Sequence, residues 1–288
     1  MASVGIVSPN FGGSTVAGAI LEGFHGARHV GEIWKLLEPN QREKAVCREC
    51  GRDVECPLFR PDVIDELKKA ETQSFWQVAE RLLNAEHLIS GDKSPRNYSK
   101  YTGVPSALLL LLKNPVAAAL SYANRKVSGG KLRKIADKTE RLELLLQGLD
   151  EYSGLLKERG KWLATQVNAP MFVAVEELVA CPKEDMERLG EAILGKPVEY
   201  CPGRVRGPDM HYIAGNHKLS SGKDNSYFDQ AFKPDRRYLR ELNRFEIRIL
   251  VRTYTKQYDF RQFLDGWTEL ISCKWLDNPW SLTPSAVG

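Results

Sequence analysis

The sequence has few cysteines, no long hydrophobic run and only a small excess of charge, and each shortage excludes a class of protein. Six cysteines in 288 residues are too few for a small, disulfide-stapled secreted domain. The most continuous apolar run, Ala107–Leu112, ends at Lys113 and is far shorter than the ~20 residues that a membrane span needs. A formal net charge of +4 permits an anionic ligand but does not indicate a nucleic-acid-binding protein.

The first residues also lack the features of a secretory signal peptide. No basic side chain stands between Met1 and Ile6, and the stretch that follows is broken by Pro9 and by two glycines. We therefore expect a protein of the reducing cytoplasm, in which cysteines are thiols or metal ligands rather than disulfides. We expect a single domain over residues 1–288, helical and irregular from about residue 195.

Hydrophobic patterning predicts an α/β fold with a central parallel β-sheet flanked by helices. Short apolar runs predict buried strands over residues 3–7, 87–90, 106–112 and 171–175. Helical spacing predicts helices over residues 14–24, 61–69, 73–86, 116–124, 130–159, 183–194, 236–257 and 260–270. The polar stretches 39–60 and 195–235 are predicted to be loops, and a loop as long as the second is usually functional or disordered.

The turn between the first strand and the first helix is a candidate anion site. Gly-rich residues there bring free backbone N–H groups to a helix N-terminus, and Ser14 and Thr15 add hydroxyl donors. The turn lacks the lysine of the G-x-x-x-x-G-K-[ST] loop that reaches the terminal phosphates of ATP or GTP. This absence argues against a Mg²⁺-dependent kinase or NTPase. Such turns are also often purely structural.

Lys113 marks a second candidate anion site, because it follows the most continuous apolar strand. Open α/β sheets bind their ligands at this edge. Ser121 lies about two helical turns further on, and Arg125 lies one turn beyond it. A basic residue after a strand is common for structural reasons as well, so it is the combination with the first loop that favours a ligand with two anionic ends.

Together these motifs resemble those of the sulfotransferases that use 3′-phosphoadenosine 5′-phosphosulfate (PAPS), particularly the bacterial and Golgi-type branches. Residues 10–15 are similar to the family's G-R-S-G-S-T loop, and residues 111–121 are similar to its L-x-R-D-P-x-x-x-x-x-S motif. The other similarities are collinear over about residues 3–218, and they are Gly31-Glu32, Cys47-x-x-Cys50-Gly51 with Cys56-Pro57-Leu58-Phe59, Asp92-Lys93-Ser94-Pro95, Glu176-Glu177-Leu178-Val179, and His211 leading to Gly215-Asn216.

The resemblance implies a P-loop-like fold and a role for each matching residue. Glu32 would be the catalytic base, and Lys93 would lie near the transferred sulfuryl group. The first loop would hold the 5′-phosphosulfate with Gly12, Gly13, Ser14 and Thr15, beside Phe11. The 3′-phosphate would be bound by Lys113 and Ser121, with Arg125 as an addition, and a late loop over the nucleotide would contain Gly215, Asn216 and Lys218.

Three positions depart from the family's pattern. Phe11 stands where the family has a basic residue, which removes one charge from the sulfuryl group. Lys113 replaces the usual arginine, so it keeps the charge but loses the bidentate fork. Val175 stands where an aromatic residue is frequent. Lys93 or another cation would have to compensate for Phe11 if the protein is to be active.

The function that the resemblance implies is in-line transfer of a sulfuryl group from PAPS to a hydroxyl, or less readily an amine, of a small molecule or glycan. The product nucleotide would be 3′-phosphoadenosine 5′-phosphate (PAP), and the scheme requires no metal. Two alternatives stay open, namely a catalytically inactive nucleotide-binding protein of the same fold and a nucleotide-dependent phosphotransferase. The sequence names no acceptor, indicates no nucleic-acid partner, and leaves open whether the protein is a homo-oligomer.

Two features have no assigned role. Cys47 and Cys50 have a zinc-like spacing, with Cys56, His25 and His29 near in sequence, but no second pair completes four ligands. Loop thiols or a conditional disulfide are therefore favoured over bound zinc. Five arginines at every fourth position of the last long helix form either a solvated stripe or a contact surface for an anionic acceptor or a subunit: Arg236, Arg240, Arg244, Arg248 and Arg252.

Overall fold

The computed structural model describes residues 2–40, 47, 50, 55–92, 94–127, 131–167, 170–206, 211, 213, 235–258 and 260–282. Its centre is a six-stranded parallel sheet with the strand order β2-β3-β1-β4-β5-β6. The strands are β1 (Ala2–Val7), β2 (Ala27–Gly31), β3 (His87–Asp92), β4 (Ala107–Leu112), β5 (Met171–Ala174) and β6 (Thr268–Glu269). The predicted fold class, a parallel α/β sheet flanked by helices as in P-loop-like proteins, is confirmed.

Helices cover both faces of this sheet. They are α1 (Ser14–Leu21), α2 (Pro61–Lys69), α3 (Phe75–Leu82), α4 (Pro115–Lys126), α5 (Lys138–Gln166), α6 (Val175–Val179), α7 (Lys183–Leu194), α8 (Tyr238–Glu241), α9 (Arg244–Gln257), α10 (Phe260–Phe263) and α11 (Lys274–Asp277). Short 3₁₀ turns cover Ile33–Leu36, Leu132–Lys134, Pro202–Arg206 and Pro279–Leu282, and a π turn covers Tyr98–Thr102. No helix in the described ranges is long and apolar enough to cross a membrane.

The leucine run of β4 explains why this strand lies at the centre of the sheet. Successive side chains of a strand point to opposite faces. Leu108, Leu110 and Leu112 pack into the core that α4, α5 and α9 cover. Leu109 and Leu111 pack into the core on the other face, with residues of α1 and α7. An uninterrupted apolar run is what a strand buried on both faces requires.

The sequence patterns did not reveal two strands. The edge strand β2 has the sequence ARHVG, whose Arg28 and His29 interrupt any apolar run. Burial of His29 against α1 lowers the pKa of its imidazole to about 3, so the ring is neutral and serves as a core residue. The strand β6 has only two residues and lies in the stretch 260–270, where a helix was expected. That expectation was wrong beyond Phe263, because the chain turns there and joins β5.

The expected helices 14–24 and 73–86 end earlier, at Leu21 and Leu82, and two others differ more. The predicted helix 236–257 is interrupted at Leu242, because Asn243 forms a capping box with Glu246 and starts α9. The predicted helix 130–159 begins only at Lys138, after the cap Asp137, and continues to Gln166. Its buried leucines continue the seven-residue spacing through Leu163, which explains the extra turns at its end.

The six described strands of the sheet are all parallel, so their carboxyl ends share one edge of the sheet. Ser8 and the Gly-rich turn follow β1, and Glu32 follows β2. Asp92 ends β3, Lys113 follows β4, and Glu176 lies one residue beyond the start of α6 after β5. This edge is the place where open α/β sheets bind ligands.

Candidate functional site

The turn after β1 leads into α1 through a glycine that no other residue could replace easily. Gly13 is the N-cap residue, with φ of 91°, and a Cβ there would lie 2.9 Å from Cγ2 of Val175. No side chain in the described residues caps the helix at this point, so its first backbone N–H groups face the strand edge. The N–H of Gly12 donates to the carbonyl of Pro9 at 3.0 Å, which tightens the turn. Ser14 is buried and Thr15 is partly buried at the start of the helix.

The Lys113 side chain brings the first loop and α4 together. Its Nζ donates to the carbonyl oxygen of Phe11 at 3.4 Å and to Oγ of Ser121 at 3.3 Å. The backbone N–H of Lys113 donates to the hydroxyl of Tyr152, and that hydroxyl donates to the Lys113 carbonyl, both at 2.8 Å. The lysine is therefore fixed at its backbone, and its ammonium lies where the two predicted anion sites meet.

Two residues that the sequence patterns did not reveal complete this group. The carboxylate of Asp235 lies 3.0 Å from Nζ of Lys113 and 2.7 Å from a guanidinium nitrogen of Arg237. Arg237 also donates to Oγ of Ser121 at 3.3 Å, so this hydroxyl accepts from two cations. We call Lys113, Ser121 and Arg237 the cationic pocket.

The carboxylate of Asp235 is held ionised by this pocket. Burial alone would raise the pKa of Asp235, but hydrogen bonds and charge from Arg237 and Lys113 outweigh burial and hold the pKa well below its usual range. The cationic pocket thus stabilises an anion, and in this structure the anion belongs to the chain itself. Because Asp235 is 122 residues from Lys113 in sequence, no local pattern could have indicated their contact.

Phe11 connects the first loop to α4 through its ring. The ring packs edge-on against Tyr122, with 5.2 Å between ring centroids, and the Arg125 guanidinium lies 5.2 Å from the Phe11 centroid. This cation–π contact holds Arg125 over the loop. Phe11 has φ of 59°, in the left-handed region that few non-glycine residues adopt. Its backbone carbonyl, rather than its side chain, contacts Lys113.

Glu32 follows β2 directly and is almost buried. Its carboxylate forms an ion pair with Lys35, one turn further along the chain, and its backbone N–H donates to the carbonyl of Ile213 at 2.8 Å. Lys35 was not among the expected site residues, although its i, i+3 spacing from Glu32 could have indicated the pair. The pair puts a cation beside the carboxylate that was expected to act as a base.

Asp92 is a second buried carboxyl group on this side of the edge. Its Oδ1 accepts from the backbone N–H of Ser94 at 2.8 Å and from the amide of Asn97 at 3.2 Å. Its Oδ2 is buried and has no hydrogen-bond partner in the described residues. Burial raises the pKa of Asp92 to about 7, and the negative charge of Glu32 adds to this rise.

Glu176 is a buried carboxyl group behind the cationic pocket. Its Oε1 accepts from the backbone N–H of Asn114 at 3.0 Å, which fixes the chain just after Lys113. Burial raises the pKa of Glu176 to about 7, although the charge of Lys113 opposes the rise. The sequence contained this residue only as part of a motif, without a role. The structure gives it one, because it supports the turn into α4.

Some expected site residues lie outside the described residues: Lys93, Gly215, Asn216 and Lys218. The remaining ones form two groups at the same edge. The turn after β1, Phe11, Lys113, Ser121 and Arg125 are joined by direct contacts, whereas Glu32 lies on the β2 side with Lys35. The arginines of the expected stripe are all exposed, but the break before Asn243 divides them between two helices and the segment before them.

Three cysteines and a histidine converge on the outer side of β2. The Nδ1 atom of His211 lies 3.6 Å from Sγ of Cys47, 3.3 Å from Sγ of Cys50 and 3.6 Å from Sγ of Cys56. The four candidate ligand atoms all lie within 4.8 Å of one another. His25 and His29, the histidines near these cysteines in sequence, are not part of this group, and the fourth candidate ligand is a residue more than 150 positions away.

Comparisons of the chain with protein-family models, with curated proteins and with solved structures found no match.

Proposed function

We propose that the protein is a PAPS-dependent sulfotransferase that transfers a sulfuryl group to a hydroxyl, or less readily an amine, of a small molecule or glycan. The proposal joins the motif resemblance to the chemistry of the strand edge. It includes a cytoplasmic location, which suits a chain in which none of the six cysteines forms a disulfide.

The observation that carries the proposal is the contact of Lys113 with both predicted anion sites. One ammonium group bonds the backbone of the first loop and the hydroxyl of Ser121. A nucleotide with a 3′-phosphate and a 5′-phosphosulfate needs two anion sites that are close together, and a nucleoside triphosphate needs one extended site. A hydroxyl flanked by Lys113 and Arg237 suits a compact phosphate monoester.

The Glu32 carboxylate, which follows β2, supports the part of the proposal that concerns transfer to the acceptor. Sulfuryl transfer, like phosphoryl transfer, needs in-line positioning and charge stabilisation more than covalent work by the protein. A buried carboxylate at the strand edge can accept the acceptor's proton as the oxygen attacks sulfur. Glu32 would do this, and Lys35 would hold its carboxylate in place and add a positive charge that Phe11 does not provide.

A nucleotide-binding protein without activity is the second candidate, and two observations favour it. Phe11 stands where the resemblance leads one to expect a cation, and its ring turns to α4. Asp235 competes for the cations that would bind the 3′-phosphate. The phosphotransferase alternative is disfavoured, because the first loop lacks the lysine that contacts terminal phosphates.

Calorimetric titration of the purified protein with PAP and with ATP tests the binding half of the proposal. We expect PAP to bind and ATP to bind at least ~10-fold more weakly, a difference of about 1.4 kcal/mol. Equal affinity for ATP would favour a phosphotransferase, and no binding of either nucleotide would contradict both nucleotide assignments.

Turnover with sulfur-labelled PAPS separates the enzyme from the inactive binder. A panel of phenols, sugars and amines serves as acceptors, and hydrolysis of PAPS in their absence serves as the baseline. Acceptor-dependent or slow hydrolytic release of sulfate supports the enzyme. PAP binding without either reaction would assign the inactive binder instead.

A further inference from the structure

A compact group of metal-ligating side chains lies beside the strand edge and outside the proposed transfer chemistry. We define it as the Cys3His cluster, which consists of Cys47, Cys50, Cys56 and His211. We propose that this cluster binds one structural Zn²⁺ ion. The inference does not depend on the sulfotransferase proposal, because it concerns a different set of atoms.

The distances within the cluster match a tetrahedral zinc site. Zinc binds thiolate sulfur at about 2.3 Å and imidazole nitrogen at about 2.0–2.1 Å, so the sulfur–nitrogen edge of a tetrahedron is about 3.5 Å. The three sulfurs lie 3.3 to 3.6 Å from Nδ1 of His211. Three thiols grouped around one ring nitrogen at this edge length fit a four-coordinate ion better than they fit a disulfide, which would pair two of them and leave the third.

The surroundings of the sulfurs suit metal ligands that are shielded from solvent. Cys47 and Cys56 are buried, and the backbone N–H of Phe59 donates to Sγ of Cys56 at 3.4 Å. Hydrogen bonds to ligand sulfurs are the usual outer support of such sites. On binding, each coordinating thiol releases its proton to solvent, and no oxidant or reductant is needed. Three thiolates and one imidazole close the coordination sphere, which is typical of a structural rather than a catalytic zinc ion.

The cluster holds a segment against the outer edge of β2. The N–H of Ile213 donates to the carbonyl of Val30 at 3.1 Å, and the carbonyl of Ile213 accepts from the N–H of Glu32 at 2.8 Å. Cys47 pairs with Ile213 from the other side. Gly31 makes the approach possible, because a Cβ there would lie 2.3 Å from the Ile213 carbonyl oxygen. The ion would therefore fix the backbone of Glu32 through residues 211 and 213.

Elemental analysis and cobalt substitution of the wild-type protein test the site without any mutation. We expect about one zinc per chain after purification without added chelator, in line with a four-ligand site. Co²⁺ exchanged into the protein should give intense visible bands and a near-ultraviolet thiolate charge-transfer band. Substoichiometric metal in fresh protein that also fails to take up Zn²⁺ on titration, or a cobalt spectrum without thiolate bands, would overturn the proposal.

Two variants and a matched control locate the ligands. Cys50→Ser and His211→Ala should each lose most of the bound zinc, whereas Cys181→Ser, at a partly buried thiol elsewhere, should retain it. Hydrogen exchange on the wild-type protein tests the same site without a variant, so its result does not depend on whether the variants fold. Removal of zinc with a chelator should speed exchange at the Glu32 amide and leave the amides of β4 unchanged. Unchanged exchange at Glu32 would contradict the holding role.

Discussion

The two halves of the sheet edge differ in charge, although they are built in the same way. On the β4 side, Lys113 and Arg237 surround a hydroxyl and hold an anion. On the β2–β3 side, Glu32 and Asp92 are buried carboxyl groups with Lys35 as their cation. One half carries cations and the other carries buried carboxyl groups. Under the proposed function, nucleotide binding and acceptance of the proton would therefore fall to different strands, and we expect a variant in one half to leave the role of the other intact.

The largest expected effect is on turnover, from a change on the β2–β3 side of the sheet edge. Glu32→Gln removes the expected base, so turnover should fall by ~10²–10⁴-fold, the usual contribution of a positioned general base. PAP affinity should stay unchanged, because the cationic pocket is intact. Turnover with labelled PAPS and titration with PAP measure the two quantities.

Glu38→Gln is the matched control, since Glu38 accepts a hydrogen bond from Tyr101 nearby and has no assigned role in transfer. It should keep wild-type turnover. Normal turnover in Glu32→Gln would contradict the proposal that Glu32 is the base and that the two sides of the sheet edge have separate roles.

The next largest effect is on nucleotide binding, from a change on the β4 side of the sheet edge. Lys113→Ala removes a charge-assisted hydrogen bond to the ligand, which is worth about 1.5–3 kcal/mol, so PAP should bind roughly 10–100-fold more weakly. Lys126→Ala, at the end of α4, the helix that follows Lys113, removes an equal charge that pairs with Glu151 on the surface. It should bind PAP as the wild type does. Equal losses in both variants would mean that only the overall charge matters.

A change of opposite sign is expected at Asp235. Because this carboxylate occupies the pocket's cations, Asp235→Asn should strengthen PAP binding by about 10-fold, or about 1.4 kcal/mol. The gain should vanish in the background of Lys113→Ala, which lacks the cation that is freed. Weaker PAP binding in Asp235→Asn would show that Asp235 organises the pocket rather than competing for it.

The smallest effect is on the pH dependence of folding stability, through Asp92 on the β2–β3 side. Burial raises the pKa of Asp92 to about 7, whereas the unfolded carboxyl group titrates near pH ~3.9. The raised pKa favours folding fully below pH ~4, and this contribution is lost as the pH rises through about 7.

Asp92→Asn cannot ionise, so its stability relative to wild type should rise by about 1 kcal/mol between about pH 5 and pH 6. The amide must also bury two N–H donors, but that cost is the same at both pH values and does not alter this difference. Urea unfolding at the two pH values measures the change. Exposed Asp65→Asn is the control and should show no such trend. A pH-independent difference would place Asp92 in a less buried setting.

Much of the fold could be predicted from the sequence wherever a segment had a clear hydrophobic pattern. The strands β1, β3, β4 and β5 lie where apolar runs predicted them, since burial on both faces demands such runs. The strand β2 could not be found in this way, because the neutral His29 and partly exposed Arg28 break its pattern. The helix break before Asn243 was also missed, because a local capping box outweighed a helical period that continues through it.

In the candidate site, too, contacts between residues close in sequence could be predicted, and contacts between distant residues could not. The pairing of Lys113 with Ser121 follows from spacing within one strand-helix unit, and the two residues are in contact. Asp235 and His211 enter their groups from more than 100 residues away in sequence, so only the folded chain brings them in. Their chemistry could have suggested a role for each, but no spacing pointed to their partners.

The segment at Ile213 also has a consequence for solubility. The strand β2 is at the rim of the sheet, and its outer N–H and carbonyl groups would offer a template for another chain to pair with. Ile213 bonds the carbonyl of Val30 and the N–H of Glu32, so those groups are already engaged. A chain that loses this segment would expose a bare strand next to buried apolar residues. The first sign of such a loss would be self-association rather than unfolding.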